Sequence, residues 1–207
     1  MKCTKAFFIN LHKLLVIPLI LILMYGYDNF SKEAFIYLAL HGTYSFLWFL
    51  KYYWFPDKAF KVDIPFWRGF FSLFVIMGGY YVAPFILISQ KIEASGWFIS
   101  VVLFLYILGI FFHFVSDIQK YYTLKYHNGL ITEGMFSRTR NPNYFGEIMM
   151  YTSFALFSKH WLPFVIIAVF TGGVFLRIMY KKDEFLAQYS GFEYYKKRTW
   201  LLFPKLF

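Results

Sequence analysis

The residues with the clearest potential for chemistry lie in one polar stretch of an otherwise apolar sequence. Arg138 and Arg140 lie just before Asn141 and Pro142. The Asn-Pro pair is typical of a helix start, because Asn can cap exposed backbone N–H groups and Pro suits the first helical position. These N–H groups and the helix dipole attract anions. The stretch therefore predicts a site for a phosphate or carboxylate group. The alternative is a capped helix that contacts lipid headgroups.

A polar face follows on the same predicted helix. Asn143, Glu147 and Tyr151 recur every four residues, so they share one helix face, with Tyr144 beside them. A carboxylate at membrane depth costs at least about 2.5 kcal/mol unless it faces a cavity or a partner. The spacing therefore predicts that Glu147 faces a site. The alternative is a glutamate close to the headgroups that pairs with an arginine.

Further charged residues flank this helix on both sides along the chain. Asp117 and Lys120 follow an apolar stretch upstream, and Asp183 and Glu184 follow another downstream. Ser190-Gly191 then predicts a helix break before an aromatic and basic segment suited to the membrane interface. These are the longest polar parts of the chain, so we expect a functional site to be built from them.

The composition indicates that membrane helices position these residues. Of the 207 residues, 59% are hydrophobic and 15% are charged, whereas soluble domains carry about 25% charged residues. Six stretches approach the roughly 20 apolar residues that cross a bilayer. We predict an all-α, polytopic integral membrane helix bundle with six transmembrane helices. The predicted spans are residues 7–26, 34–54, 66–89, 96–116, 143–159 and 162–180.

The basic residues indicate how the bundle is oriented. Lys and Arg are concentrated in alternate connections between the spans, so the positive-inside rule places both termini on one cytoplasmic or matrix-like side. The formal charge of +10 therefore faces lipid headgroups, and we expect the bilayer rather than nucleic acid as a partner. The rule applies equally to the endoplasmic reticulum, the bacterial inner membrane and the mitochondrial inner membrane. We expect residues 1–115 to form a four-helix half and residues 116–207 the functional half.

The spacing of other reactive residues disfavours several kinds of chemistry. The five histidines lack the close spacing of diiron sites, and we expect no metal site. A distant pair such as His41 and His113 could in principle bind haem across helices. Cys3 is the one cysteine, so an internal disulfide is excluded. Phosphate-loop and nucleophile-elbow motifs do not occur.

Two runs of sequence resemble a known family. The first joins Ser116–Lys120 to Gly129–Glu147, and the second joins Lys182–Glu184, Tyr189–Tyr195 and Trp200–Pro204. Together they resemble the steroid 5-alpha-reductase C-terminal and DUF1295 families. These families belong to a superfamily that includes sterol reductases and isoprenylcysteine carboxyl methyltransferases.

The resemblance implies that the C-terminal helices and interior loops bind a cofactor while a hydrophobic lipid substrate enters from the bilayer. Gln119-Lys120 is similar to a reductase motif, so the implied cofactor is NADPH, and S-adenosylmethionine is the alternative. The residues that match cofactor-binding positions are Lys120, Arg138, Arg140, Asn143, Tyr144, Asp183 and Glu184.

The implied activity is reduction of a C=C bond in a lipid or steroid-like substrate. Glu147, Tyr144 and Tyr151 are the candidate catalytic residues, since a polar group must hydrogen-bond the oxygen on which negative charge gathers. In the related steroid reductases, polar residues of the N-terminal half bind the substrate ketone, and here His41 and Tyr44 are the candidates. The alternative for His41 is a buried histidine that is hydrogen-bonded to a neighbouring helix.

Two other functions stay open. A methyltransferase would use the same pocket, with carboxylates or aromatic faces near the sulfonium of S-adenosylmethionine. A non-catalytic membrane subunit of a larger complex would keep the fold and lose the chemistry. Asn141 favours this last possibility, because many relatives have His at that position.

Overall fold

Helices account for most of the described backbone. The computed structural model describes residues 2–205, apart from the side chain of Lys58. One short antiparallel strand pair joins β1 (Lys2–Thr4) to β2 (Asp63–Pro65). The helices are α1 (Lys5–Gly26), α2 (Lys32–Trp54), α3 (Phe66–Ser89), α4 (Gly96–Tyr126), α5 (Pro142–Phe157), α6 (Trp161–Leu186) and α7 (Phe192–Arg198).

Four helices within residues 2–205 are long and apolar enough to cross a membrane, namely α1, α3, α4 and α6. This confirms the predicted all-α membrane architecture. The other two predicted spans are also helical, as α2 and α5. The 16 residues of α5 rise about 24 Å, which is less than the roughly 30 Å of a hydrocarbon core. The side of the membrane on which the termini lie stays a prediction.

Two helices are longer than the hydropathy pattern predicts. α4 was expected to end at Ser116, but its 31 residues continue to Tyr126. Asp117 and Lys120 therefore lie on a helix and not in a connection. α6 likewise continues beyond the predicted end at Tyr180. Hydropathy indicates where a helix leaves the hydrocarbon, whereas backbone hydrogen bonding decides where it stops.

The chain divides into two compact units. The N-terminal unit contains residues 1–103 and 153–166, and the C-terminal unit contains residues 104–152 and 167–207. The boundaries fall inside helices, because α4, α5 and α6 each contribute to both units. The division expected near residue 115 also falls inside α4. A separate function for each half stays a prediction.

Helix capping and polar contacts position the helices of the N-terminal unit. The Thr4 hydroxyl accepts a hydrogen bond from the Phe7 amide at 3.2 Å, which caps α1. Trp48 of α2 donates its indole N–H to Asn10 Oδ1 of α1 at 2.9 Å. Tyr81 of α3 donates its hydroxyl to the carbonyl of His12 at 3.2 Å. α1 is therefore hydrogen-bonded to both α2 and α3.

The middle of α3 departs from α-helical geometry. A π-helical turn at Ser72–Ile76 is followed by a 3-10 segment at Met77–Tyr81. A π turn adds a residue to the helix, so it changes the direction in which later side chains point. The segment ends on Tyr80 and Tyr81, which both contact the ring of His12. The irregular turns therefore place the rings of two tyrosines against α1.

Two glycines allow α4 and α5 to touch through their backbones in the C-terminal unit. A Cβ atom on Gly109 would lie 2.7 Å from the carbonyl oxygen of Gly146, and one on Gly146 would lie 2.5 Å from that of Gly109. Small residues permit such close approach between membrane helices. This contact sets the position of α5, which carries Glu147 and Tyr151.

We predict that Gly146→Ala lowers the midpoint of thermal unfolding, because the added methyl group must force α4 and α5 apart. Overpacking of this kind costs about 1–3 kcal/mol. Thermal unfolding of the detergent-purified protein measures the effect. Gly172→Ala is the matched control, since nothing lies within 4 Å of a Cβ at that position. Equal unfolding midpoints for the two variants would contradict the close contact.

Candidate functional site

A buried ion pair lies at the centre of the C-terminal unit. Arg140 Nε lies 3.0 Å from both carboxylate oxygens of Asp183, and Arg140 Nη2 lies 3.0 Å from Asp183 Oδ2. Each residue is only 6% exposed. Arg140 Nη1 also donates to the carbonyl of Thr199 at 2.8 Å. Arg140 therefore joins three segments: the linker (residues 127–141), helix α6, and the tail (residues 187–205).

The linker and the tail are further connected through main-chain groups. Thr139 forms a parallel bridge with Trp200, and the Thr139 hydroxyl donates to the carbonyl of Leu202 at 2.9 Å. Arg138 accepts a main-chain hydrogen bond from the Lys205 amide at 2.9 Å. These contacts hold the tail along the linker that leads into α5.

Asn141 has a different role from the predicted one. Its side chain was expected to cap the backbone N–H groups of α5. Instead its Nδ2 donates to the carbonyl of Leu201 at 2.8 Å, and its Oδ1 accepts from Lys182 Nζ at 3.0 Å. Asn141 is completely buried, so both ends of its amide are used in tertiary contacts. Pro142 does begin α5, as predicted.

Tyr195 fixes α7 to the linker. Its hydroxyl donates to the carbonyl of Phe136 at 2.8 Å. Burial raises the pKa of Tyr195 above its ordinary value, because the anion would lose its hydration. The side chain therefore remains a hydrogen-bond donor. α7 begins after Gly191, as the predicted break at Ser190-Gly191 required.

Gln119 fixes the other end of the linker to α4. Its Nε2 donates to the carbonyl of Glu133 at 3.0 Å, and its Oε1 accepts from the amide of Met135 at 2.9 Å. Gly134 has a φ of 56° and lies against this side chain, where a Cβ would be 2.7 Å from Gln119 Nε2. A glycine is required there for both reasons.

A group of charged side chains surrounds the ion pair. Lys182 donates to the carbonyl of Arg140 at 2.9 Å. It also interacts electrostatically with Lys120, Asp117 and Asp183. The end of α4, the linker and α6 thus meet, and the structure brings three predicted cofactor residues together: Lys120, Arg140 and Asp183.

Two other predicted cofactor residues lie at the surface of this unit. Arg138 is exposed, and its Nη1 is 3.5 Å from the carbonyl of Lys205. Glu184 is exposed on α6. Their assignment as cofactor residues stays a prediction, as it does for the other members of that set.

The three residues predicted to act in catalysis lie on the first three turns of α5. Tyr151 is buried and donates its hydroxyl to Glu147 Oε1. Tyr144 is half-buried, and its ring centre is 4.7 Å from that of Phe175. Asn143, also half-buried, presents its carbonyl to His113 Nδ1 at 3.1 Å. Glu147 therefore has a hydrogen-bonding partner on its own helix.

The linker and the tail also line a cavity of about 530 Å³. Its walls carry hydroxyl, amide and aromatic groups and one guanidinium, that of Arg198. Arg198 lies over the ring of Tyr194 at 5.4 Å and donates to the Tyr194 hydroxyl at 3.3 Å. The other lining residues are Asn128, Gly129, Leu130, Thr132, Ser137, Tyr189, Ser190, Gly191 and Tyr195.

The two predicted substrate residues lie in the N-terminal unit. His41 is completely buried, and its ring is stacked 4.6 Å from that of Phe154. Neither ring nitrogen has a hydrogen-bond partner among the described residues. The alternative of a histidine hydrogen-bonded to a neighbouring helix is therefore not what the structure shows. Tyr44 is buried beneath Lys13, whose Nζ is 3.9 Å from the ring centre.

Three of the residues whose contacts are described above were not predicted from the sequence: Lys182, Tyr195 and Lys13. Lys182 and Tyr195 occur in the runs that carry the family resemblance, but no role was assigned to them, and nothing in their spacing indicates one. Lys13 could have been selected from the sequence as a functional candidate. It is a cation within the apolar stretch that forms α1, and intramembrane charges are usually functional.

We predict that Arg140→Met and Asp183→Asn each destabilise the protein by about 3–5 kcal/mol, because either change leaves the remaining partner buried without its counterpart. The tail should then detach, and trypsin should cleave faster at Lys196–Arg198. The double variant should lose less stability than the sum of the single losses. Glu184→Gln, at the exposed neighbouring position, should change neither measurement. Additive losses would contradict the coupling.

The comparison with known families covers most of these residues. No curated protein matches the chain at a significant level. The model of the family described as "Protein of unknown function (DUF1295)" matches residues 58–199, which is more than half of the chain and includes the linker, α5 and α6. This confirms the family predicted from the sequence runs: the chain belongs to the DUF1295 family.

Proposed function

We propose that the protein is a membrane-embedded oxidoreductase that reduces a C=C bond of a lipid or steroid-like substrate with NADPH. The observation that carries the proposal is the hydrogen-bonded pair of Glu147 and Tyr151 on α5. This helix begins at Pro142, directly after Arg140 and its surrounding cations. A carboxylate at this depth needs a partner or a function, and a phenol that donates to it can take part in proton transfer.

The residues around the start of α5 fit an anionic cofactor. Lys120 and Lys182 bring two ammonium groups to the linker, and phosphate groups bind such cations. Arg140 differs from the expected role, because its guanidinium already binds Asp183 and Thr199. In this proposal Arg140 and Asp183 position the linker, while Lys120, Arg138, Lys182, Asn143 and Tyr144 would contact the cofactor.

The proposed reaction leaves a proton-transfer task to the protein. When bound, NADPH supplies the hydride, so the β carbon of an enone gains a hydride and its α carbon gains a proton while the cofactor is oxidised to NADP⁺. Tyr151 donates its hydroxyl to Glu147 Oε1. We assign the proton to the carboxyl group of Glu147: in its protonated form it would give the proton on its other oxygen to the α carbon and then regain one from water, while the Tyr151 hydroxyl positions the carboxyl group.

Two other functions would use the same features differently. A methyltransferase would place Glu147 and the tyrosines near a sulfonium cation. A non-catalytic subunit would use the Glu147–Tyr151 bond only to stabilise a carboxylate in the membrane. Cofactor binding and variants of the pair distinguish the three.

We predict that NADPH raises the unfolding midpoint of the detergent-purified protein and that S-adenosylmethionine does not. At a ligand concentration of 100 times Kd the stabilisation is about 2.7 kcal/mol. Lys120→Met should reduce the shift, because one phosphate partner is lost, whereas Lys181→Met, an exposed neighbour of the cluster, should leave it unchanged. Stabilisation by S-adenosylmethionine alone would indicate the methyltransferase, and no stabilisation by either would indicate the subunit.

We predict that Glu147→Gln keeps the NADPH-induced thermal shift but lowers the rate of NADPH oxidation with a steroid enone by about 10²–10⁴-fold, the usual contribution of general acid–base catalysis. Tyr151→Phe should lower it less, because Glu147 remains. Tyr126→Phe, at an exposed position, is the control. Unchanged turnover in Glu147→Gln would show that the pair takes no part in the reaction. Failure of both Glu147→Gln and Tyr151→Phe to fold would show that the pair has a structural role.

A further inference from the structure

A second polar group of residues lies buried inside the N-terminal unit. We call Lys13, Tyr37, His41 and Ser45 the inner polar cluster. Tyr37, His41 and Ser45 follow each other at intervals of four residues on α2, so they lie on one helix face. Lys13 is on α1, which packs against α2. All four residues are at most 3% exposed.

The α2 members of this cluster lack hydrogen-bond partners. The Tyr37 hydroxyl, both ring nitrogens of His41 and the Ser45 hydroxyl contact no donor or acceptor among the described residues. Buried polar side-chain atoms are bonded in the large majority of cases, so each exception requires an explanation. Three exceptions on consecutive turns of one helix face indicate that a polar group from outside the chain completes the site.

The ammonium group of Lys13 lies beside this face. Its Nζ is 3.9 Å from the ring centre of Tyr44, and the rings of Trp48 and Tyr80 lie at 5.9 and 5.8 Å. Its charge also acts on His41. The aromatic rings attract the cation through their π faces.

The chemistry of the cluster selects a ligand that accepts hydrogen bonds. A lysine ammonium offers three donors, the two hydroxyls and the imidazole offer one each, and only the neutral groups can also accept. Helices α1, α2 and α3 contain one acidic residue, Glu33, which lies at the first turn of α2 and accepts from the Ala94 amide at 3.0 Å. The cluster is therefore rich in donors and poor in negative charge.

We propose that the inner polar cluster binds the carboxylate head of an amphiphilic lipid, with Lys13 as the counter-ion and Tyr37, His41 and Ser45 as hydrogen-bond donors. A carboxylate has two oxygens that accept about four hydrogen bonds. Lys13 lies eight residues into α1, about 12 Å along the helix, and a small carboxylate can be buried at that depth more easily than a hydrated phosphate. The apolar faces of the helices suit its hydrocarbon chain.

His41 is also one of the predicted substrate residues, but this site rests on contacts within the N-terminal unit and not on the proposed reductase activity. The family match begins at residue 58, so it excludes α1 and α2, which carry all four members of the cluster. Failure of NADPH binding would leave this proposal intact, and failure of carboxylate binding would leave the reductase proposal intact.

The test uses the full chain in phosphatidylcholine nanodiscs and oleate labelled with ¹³C at the carboxyl carbon. We expect a saturable, shifted carboxyl resonance that nanodiscs without protein do not give. Methyl oleate, which has the same chain but no charge, should bind at least about ten-fold more weakly, since a hydrogen bond to a charged group contributes that much or more. Equal binding of ester and acid would overturn the proposal.

Two variants, each with a matched control, identify the residues involved. Lys13→Met should weaken oleate binding at least about ten-fold, whereas Lys91→Met, at an exposed position, should not. Tyr37→Phe removes a buried hydroxyl without a partner, so it should raise the unfolding midpoint of the ligand-free protein and also weaken oleate binding. Tyr25→Phe, where the side chain is 73% exposed, should do neither. A raised midpoint with unchanged oleate affinity would show that the cluster is not a ligand site.

Discussion

The arrangement of the C-terminal unit depends on the charge of Arg140 inside a buried environment. A guanidinium without water must satisfy its donors within the protein, and here Asp183 and the carbonyl of Thr199 accept them. The net contribution of such a pair to stability is small, but the loss of either partner is costly because the other stays buried. The pair therefore specifies one position of the tail on the linker. The bonds of Thr139, Asn141 and Tyr195 all depend on that position.

Two groups of buried polar side chains, one in each unit, differ in how they are satisfied. In the C-terminal unit, Arg140, Asn141 and Thr139 are all buried and all hydrogen-bonded to main-chain or side-chain partners. In the N-terminal unit, Tyr37 and His41 are equally buried and have no such partner among the described residues. A satisfied network indicates a structural framework, and an unsatisfied one indicates that something else binds. The framework lies beside the proposed cofactor residues, and the unsatisfied groups lie on the helix that carries the proposed substrate residues.

Close helix packing and polar chemistry are combined on α5. Gly146 brings the backbone of this helix against α4, and the adjacent residue is Glu147, whose carboxylate accepts from Tyr151. The contact between glycines leaves little freedom for α5 to rotate or translate, so it fixes where the carboxylate lies relative to the cations of the linker. The proton transfer proposed for Glu147 would require such rigid support.

The sequence by itself determined the class of the protein, its family and the positions of its helices, apart from the ends of α4 and α6. Apolar length, basic connections, the Asn141-Pro142 helix start and the Ser190-Gly191 break are local properties, and short-range patterns predict them reliably. It also determined that Asn143, Glu147 and Tyr151 share a face, because helical periodicity follows from residue spacing alone. Only the tertiary structure decided that Arg140 binds Asp183, that Asn141 binds Leu201 and Lys182, and that Lys13 lies beside the ring of Tyr44. These partners are distant in sequence, and no local pattern records which buried donor meets which acceptor once the helices pack.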